Sequence, residues 1–251
     1  MTKFVHCTAT LTMSHYIADI NAEFNPGLTH PLYLIRSGLF KSLTRLAPEL
    51  SGKMMDFGCG IKPYQSLFRV AEYVGVDYKG EGETYEQSQV DVFYDGVTLP
   101  FPNQYFDSVF SSEVFEHIFN LPDILKELHR VMKPGGKILV TCPFAFGEHE
   151  APTDYARYTS FAMRHMFEQN GFRILISEKT GTASDALMQL RIVFWNNHVL
   201  SFIRKVPVVR TIVRKTVFLL MNTGALVARV LVPRRQDLYL NNVILAIKEP
   251  V

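Results

Sequence analysis

The chain has 251 residues but only three cysteines, Cys7, Cys59 and Cys142, and a single tryptophan. An odd, widely spaced set of thiols argues against a disulfide framework and a cysteine zinc site and suits a reducing compartment, so a cytoplasmic protein is expected. Charge of one sign is also scarce. A formal net charge of +2 gives no whole-molecule reason to bind nucleic acid, and none is expected as a partner. Long uncharged runs are missing: the longest apolar-rich one, Thr216 to Ala228, falls short of the roughly 20 residues that cross a bilayer, so no span is expected. The N-terminal stretch MTKFVHCTATLTMSHYIADI has no sustained apolar core and does not read as a secretory signal. One absence is local. From Ala186 to Gln236 there is no Asp or Glu, whereas Arg191, Arg204, Lys205, Arg210, Arg214, Lys215, Arg229, Arg234 and Arg235 all fall there.

What is present is enough apolar residue, 47%, to bury a sizeable core. HPLYLIRSGLFKSLTRLAPEL repeats apolar residues every three or four positions and predicts a helix ending near Pro48. Strand and helix patterns then alternate. Strands are expected at 53–57, 72–77, 89–95, 106–112, 137–143 and FRILISEK, with a last one in LYLNNVILAIK. Helices are expected at 64–71, in LPDILKELHRVM between Pro122 and the Pro134-Gly135-Gly136 stop, and from Ser160 to Asn170 before Gly171. KILVTCP is apolar almost throughout, as a strand covered on both faces is. The alternation implies an α/β fold, a doubly wound and mainly parallel sheet that binds ligands at the carboxyl ends of its strands.

The stretch MMDFGCGIKPY puts Gly58, Cys59 and Gly60 directly after a strand ending in Asp56 and Phe57. Glycines there let backbone turn sharply and approach a ligand. A dinucleotide fingerprint would need a third glycine at position 63, which is Pro63, so a nicotinamide cofactor is disfavoured. Asp77 ends the second strand about 20 residues on, where a carboxylate can accept from ribose hydroxyls, and Asp95 follows the third. Carboxylates at three successive strand ends repel a diphosphate and suit a ligand with an ammonium, a sulfonium and an amino-purine. That description fits S-adenosylmethionine.

The series DFGCG, VGVDY, YDGVTLPFPNQYFDSVFSSEVFEHI and ELHRVMKPGGKILVTCPF resembles the class I S-adenosylmethionine-dependent methyltransferases over roughly residues 52–180. The resemblance implies a Rossmann-like seven-stranded sheet whose last strand is antiparallel. It also implies that Asp56, Gly58, Cys59 and Gly60 line the methionine part of the cofactor, with Cys59 a loop filler rather than a nucleophile. Asp77 would hold the ribose and Tyr78 lie by the adenine. Asp95, four residues before Leu99, would take the adenine amino group in preference to Asp91, while Ser112 and Glu113 flank the methionine end or the substrate entrance.

Methyl transfer from a sulfonium needs an aligned acceptor and, for a hydroxyl, a base; no metal is required or expected. The loop GEHEAPTDYARYT follows the fifth strand and should overhang the methyl group. His149 is the leading candidate base, with Glu150 or Asp154 to orient it. Arg157 is more simply a pin for the loop. His117 is a second candidate, for which a structural role is preferred; His129 is expected to face solvent.

The expected organisation is an N-terminal helical segment (1–51), a cofactor-binding core (52–182), a basic apolar helical insertion (183–236) and a last core strand (237–251). The insertion reads as a lid or dimer interface, ahead of a membrane-surface element peripheral to the inner face of a membrane. The expected function is O-methylation of a small-molecule or glycan acceptor, one that could be lipid-linked, yielding S-adenosylhomocysteine. Two rivals are a non-catalytic cofactor-binding scaffold and a nicotinamide-dependent oxidoreductase.

Overall fold

The computed structural model describes residues 23–79, 89–200 and 207–249. Cys7 with the rest of residues 1–22, Arg204 and Lys205 lie outside these ranges. The order of elements is α1 (Tyr33–Leu46), β1 (Lys53–Phe57), β2 (Glu72–Tyr78), β3 (Val92–Tyr94), β4 (Phe106–Ser112), α2 (Leu121–Val131), β5 (Met132–Pro143), α3 (Ser160–Gln169), β6 (Phe172–Lys179), α4 (Ala183–Phe194), α5 (Pro207–Leu231) and β7 (Asn241–Lys248). The strands form one seven-stranded sheet in the order β3-β2-β1-β4-β5-β7-β6. β1 runs parallel to β2 and β4, and β7 is antiparallel to both of its neighbours.

Alternation along the strands divides the core in two. Met55, Val109, Ile138 and Val140 face Leu121, Ile124, Leu125 and Leu128 of α2 and Met163 and Phe167 of α3. Met54, Phe110, Leu139 and Val243 point the other way, onto Leu43 and Leu46 of α1 and onto Tyr64 and Phe68. α2 starts with a proline in its first turn and Asp123 near its positive end, and carries His129 and Arg130 in its last turn, an arrangement that complements the helix dipole. Thr159 caps α3 by accepting from Ala162 N, and Thr182 and Asp185 form a capping box on α4.

Four expectations are corrected. Residues 64–71 hold only a 3-10 turn, Gln65–Leu67, because few residues separate Pro63 from the start of β2 and Tyr64 and Phe68 are drawn into the core. β5 begins at Met132, so the Pro134-Gly135-Gly136 run lies inside an irregular strand opening, where a register shift accompanies it. His129 packs its ring edge-on against Phe172 instead of facing solvent.

The fourth concerns the length of the apolar run in the insertion. Val208–Leu231, with a mean hydropathy of 1.2, is long and apolar enough to cross a bilayer by length and composition. The uncharged run alone hid this, since Arg210, Arg214 and Lys215 sit near one end and Arg229 near the other. One side of this helix is committed to protein: Phe218 and Ala225 pack with Leu34, Ile35 and Leu39 of α1. Asn222 Nδ2 donates to the carbonyls of Leu28 and His30 at 2.6 and 3.0 Å, and Gln189 of α4 donates to Pro31 O at 2.7 Å. The insertion is thereby fastened to the N-terminal helix across the carboxyl side of the sheet. Asn222→Ala should lower unfolding free energy by about 1–3 kcal/mol in chemical denaturation, the range for leaving buried partners unpaired; an unchanged denaturation midpoint would contradict this fastening.

Candidate active site

β1 ends in a loop whose first and third residues, Gly58 and Gly60, have φ of +72° and +47°, in the left-handed region where side chains are strained. A Cβ on Gly58 would meet Val114 at 2.3 Å, so the β1 loop is pressed against the turn that follows β4. A Cβ on Gly60 would meet nothing within 4 Å and would project into open space. Asp77, at the end of β2, accepts from Gly60 N at 2.8 Å through one oxygen and from Tyr78 N at 2.8 Å through the other. Tyr78 is exposed beside this carboxylate, its ring edge-on to Tyr94 of β3.

The other carboxylates expected near the loop are placed differently from one another. Asp56 is 3% exposed and accepts from the Tyr73 hydroxyl; burial pushes its pKa up to about 7. Asp95 is exposed and accepts from the backbone N–H groups of Thr98 and Val97, which hold its pKa below the usual value. Asp91 is held by Lys62 Nζ and Gly75 N, both at 2.6 Å. Cys59 is buried and its thiol pKa is raised, chiefly by that burial, so a resting thiolate is opposed.

On the β4 side, Glu113 has φ of +57° and its pKa is pushed up to about 7 by burial. A chain of polar side chains surrounds it. Ser112 Oγ lies 2.8 Å from Thr141 Oγ1, Thr141 Oγ1 donates to Glu113 Oε1 at 2.8 Å, and Asn241 Nδ2 donates to Glu113 Oε2 at 2.6 Å. The charge of Arg36 on α1 opposes the upward shift. Thr141, Asn241 and Arg36 were not picked out from the sequence. Asn241 could have been, because an asparagine pair interrupting the apolar strand NNVILAIK is a polar signal in a buried element.

The loop after β5 docks on the Phe115–His117 turn, with Tyr155 N and Ala156 N donating to Glu116 O at 2.8 and 3.2 Å. Within it, Arg157 clamps Asp154 through two nitrogens at 2.5 and 2.6 Å, and this pair holds the Asp154 pKa down to about 2. Asp154 Oδ2 lies 3.2 Å from His149 Nδ1 and also accepts from His149 N at 2.9 Å. Asp154 therefore orients His149. Glu150 turns elsewhere, its Oε2 lying 3.7 Å from His117 Nε2. The two imidazoles meet edge to face with ring centroids 4.9 Å apart.

The methyltransferase domain family matches residues 55–140, the span from β1 through most of β5. Residues 55–140 thus resemble a methyltransferase domain, set in a Rossmann-like seven-stranded sheet. Among curated relatives, the chain is 36% identical over 98 residues to sterol 24-C-methyltransferase of Yarrowia lipolytica, covering 34% of this chain and 26% of that protein. It is 26% identical over 110 residues to demethylmenaquinone methyltransferase of Lysinibacillus sphaericus, covering 39% and 47% respectively. The matches thus span less than half of these relatives. In fold, it aligns with phosphoethanolamine N-methyltransferase 2 of Haemonchus contortus solved with S-adenosyl-L-methionine, at TM-score 0.52 and 17% identity over 90% of this chain and 59% of that one. It aligns equally with the [4+2]-cyclase SpnF, at TM-score 0.53 and 16% identity over 87% and 84% of the two chains.

The methyltransferase domain's cofactor can be checked against the residues present. Open space at Gly60, the carboxylates of Asp77 and Asp95 at the ends of β2 and β3, and the half-buried Glu113 make a cleft edge rich in acceptors and poor in phosphate donors, with Asp56 buried behind it. That donor set fits a cationic nucleoside and misfits a dinucleotide. Asp56 also generates a pH prediction. A carboxyl raised from 3.8 to about 7 binds its proton more tightly in the folded state. Its contribution is therefore full below its unfolded pKa and is lost as pH rises through about 7. Asp56→Asn should flatten the decline of apo-protein stability between pH 4 and pH 7, read by urea denaturation; an equally steep decline in the variant would show that Asp56 is not its source.

Proposed function

We propose that this protein transfers a methyl group from S-adenosylmethionine to an oxygen of a small-molecule or glycan acceptor carried on a lipid. The single observation supporting the cofactor role most directly is Asp77, a carboxylate fixed at the end of β2 against the glycine loop of β1. Asp77 accepts from the ribose hydroxyls, Tyr78 lies along the adenine, and Asp95 receives the adenine amino group. Gly58, Gly60 and Cys59 form the backbone wall of the methionine end, with Asp56 behind them, while Ser112 and Glu113 close it from the β4 side. When bound, the cofactor supplies an electrophilic methyl carbon on a positively charged sulfur.

The residues of the β5 loop manage the acceptor. His149 Nδ1 has two oxygens beside it, from Asp154 at 3.2 Å and Gly147 at 3.3 Å, and one donor, Arg157 Nη2, at 3.3 Å; with the oxygens as the partners of an Nδ1 proton, Nε2 keeps its lone pair. In this reading Nε2 accepts the acceptor's hydroxyl proton, and the Arg157–Asp154 pair fixes the tautomer. His117 and Glu150 form the adjoining wall. A purely cofactor-binding scaffold is the rival, since this fold does not by itself imply methyl transfer: one protein that shares it is named as a [4+2]-cyclase.

The lipid-linked acceptor rests on the insertion. α5 turns Ile212, Leu219, Leu220, Val227, Val230 and Leu231 outward, with Val230 82% exposed, and α4 adds Leu187 and Phe194. Arg191, Lys215, Arg234 and Arg235 are exposed around them with no acidic residue between 186 and 236. An apolar face ringed only by cations matches an anionic bilayer surface, into which it would sink at headgroup depth. Sterol 24-C-methyltransferase, squalene methyltransferase and fatty-acid O-methyltransferase among the curated matches are likewise named for lipophilic acceptors. The insertion thus serves as a lid inside and a membrane contact outside.

Asp77→Ala should weaken S-adenosylhomocysteine binding by roughly tenfold or more in calorimetry, the loss of one or two charge-assisted hydrogen bonds. Asp77→Asn, which keeps an acceptor for Gly60 N, controls for loop collapse, and wild-type affinity in both variants would sink the ribose role. His149→Ala should cut turnover with cofactor affinity retained. The protein should float with phosphatidylglycerol vesicles and lose that property as Leu220→Glu. Failure to float, together with a dimer that Leu220→Glu dissociates in sedimentation, would assign the face to a second copy instead.

A further inference from the structure

Docking of the β5 loop on the Phe115–His117 turn gathers Glu116, His117 and His149, one potential ligand atom from each lying within 4.8 Å of the other two. No such grouping is visible in the sequence, because the two histidines come from different loops. Glu116 is the unusual member. Its side chain is 0% exposed and Oε1 has no hydrogen-bond partner among the described residues. His117 Nε2 stands 3.7 Å from that oxygen, too far for a hydrogen bond, and Glu116 Oε2 meets only the weak Cys142 thiol donor at 3.7 Å. A buried carboxylate oxygen without a partner is costly, and it points into a cluster of nitrogens.

The imidazoles are braced from behind. His117 Nδ1 is 3.0 Å from Thr153 O, and His149 Nδ1 is 3.2 Å from Asp154 Oδ2. A proton on His117 Nδ1 leaves its Nε2 with a lone pair, and the same holds for His149 when Asp154, rather than the Arg157 Nη2 donor 3.3 Å away, partners its Nδ1; such outer support is what metal-bound histidines ordinarily have. Glu150 Oε2, 3.7 Å from His117 Nε2, offers a fourth oxygen on the exposed side. Metal bonds of about 2.1 Å hold neighbouring donors about 3.4 Å apart, so side-chain rotations of about an ångström would close the set.

We propose that Glu116, His117 and His149 form a binding site for a divalent first-row transition cation, with an outward position open to water or to an acceptor oxygen. Two imidazoles and a carboxylate favour zinc-like cations over magnesium or calcium. A cation there lowers the pKa of an oxygen that reaches it, and this consequence alone rests on the methyl-transfer reading. In that case His149 orients the acceptor through the cation and does not act as the free base.

The test is titration of chelator-stripped full-length protein with Co2+, followed by its visible absorption, and with Zn2+ by calorimetry, both without cofactor. One cation per chain is expected, weakened at least tenfold in Glu116→Gln and in His149→Ala, while S-adenosylhomocysteine affinity stays at the wild-type value. Glu116→Gln keeps side-chain size, and circular dichroism melts verify that it folds. No binding of either cation, or binding that survives both substitutions, would overturn the site. Loss of cofactor binding in Asp77→Ala is read separately, so either proposal can fail alone.

Discussion

A half-buried carboxyl group just past the end of β4 constrains the carboxyl edge of the sheet. Glu113 leaves water in a left-handed turn and needs donors, which come from Thr141 on β5 and Asn241 on β7, with the charge of Arg36 on α1 nearby. Removing any one of them leaves the Glu113 charge less compensated. The requirement therefore binds together three strands and a helix widely separated in sequence. It also explains why β7 opens with two buried asparagines: Asn241 serves Glu113, and Asn242 donates to Tyr158 O and accepts from the Tyr239 hydroxyl.

The same edge carries the loop after β5 and the turn on which it docks. Asn242 holds the end of the β5 loop, the Arg157–Asp154 pair stiffens its middle, and Glu116 O receives its backbone. α4 and α5 then close over α1, so the insertion depends on the N-terminal helix for its inward face. Outward, it keeps an apolar surface that water does not favour. Among the described residues, protein covers one side of α5, around Phe218, Asn222 and Ala225.

Legibility followed how local each determinant was. FRILISEK emerges as a strand with the bounds read from the sequence, its burial changing on alternate residues, and FDSVFSS does so as a short run buried almost throughout. The short helix after the glycine loop was misread because Tyr64 and Phe68 show helical spacing while serving as core plugs. Asp77 could be found by its distance from the glycine loop, since a βαβ unit fixes that spacing. Glu116 was passed over because its burial depends on a loop about forty residues later folding back across it.

The sequence by itself determined the order of strands and helices, the glycine turn and the carboxylates at the strand ends, since each depends on periodicity or spacing within a few tens of residues. Tertiary structure decided which carboxyls are buried and raised, that Asp154 rather than Glu150 serves His149, and that Glu116, His117 and His149 converge. Those outcomes depend on distances between elements remote in the chain. Desolvation and hydrogen bonding exist only once such elements have packed.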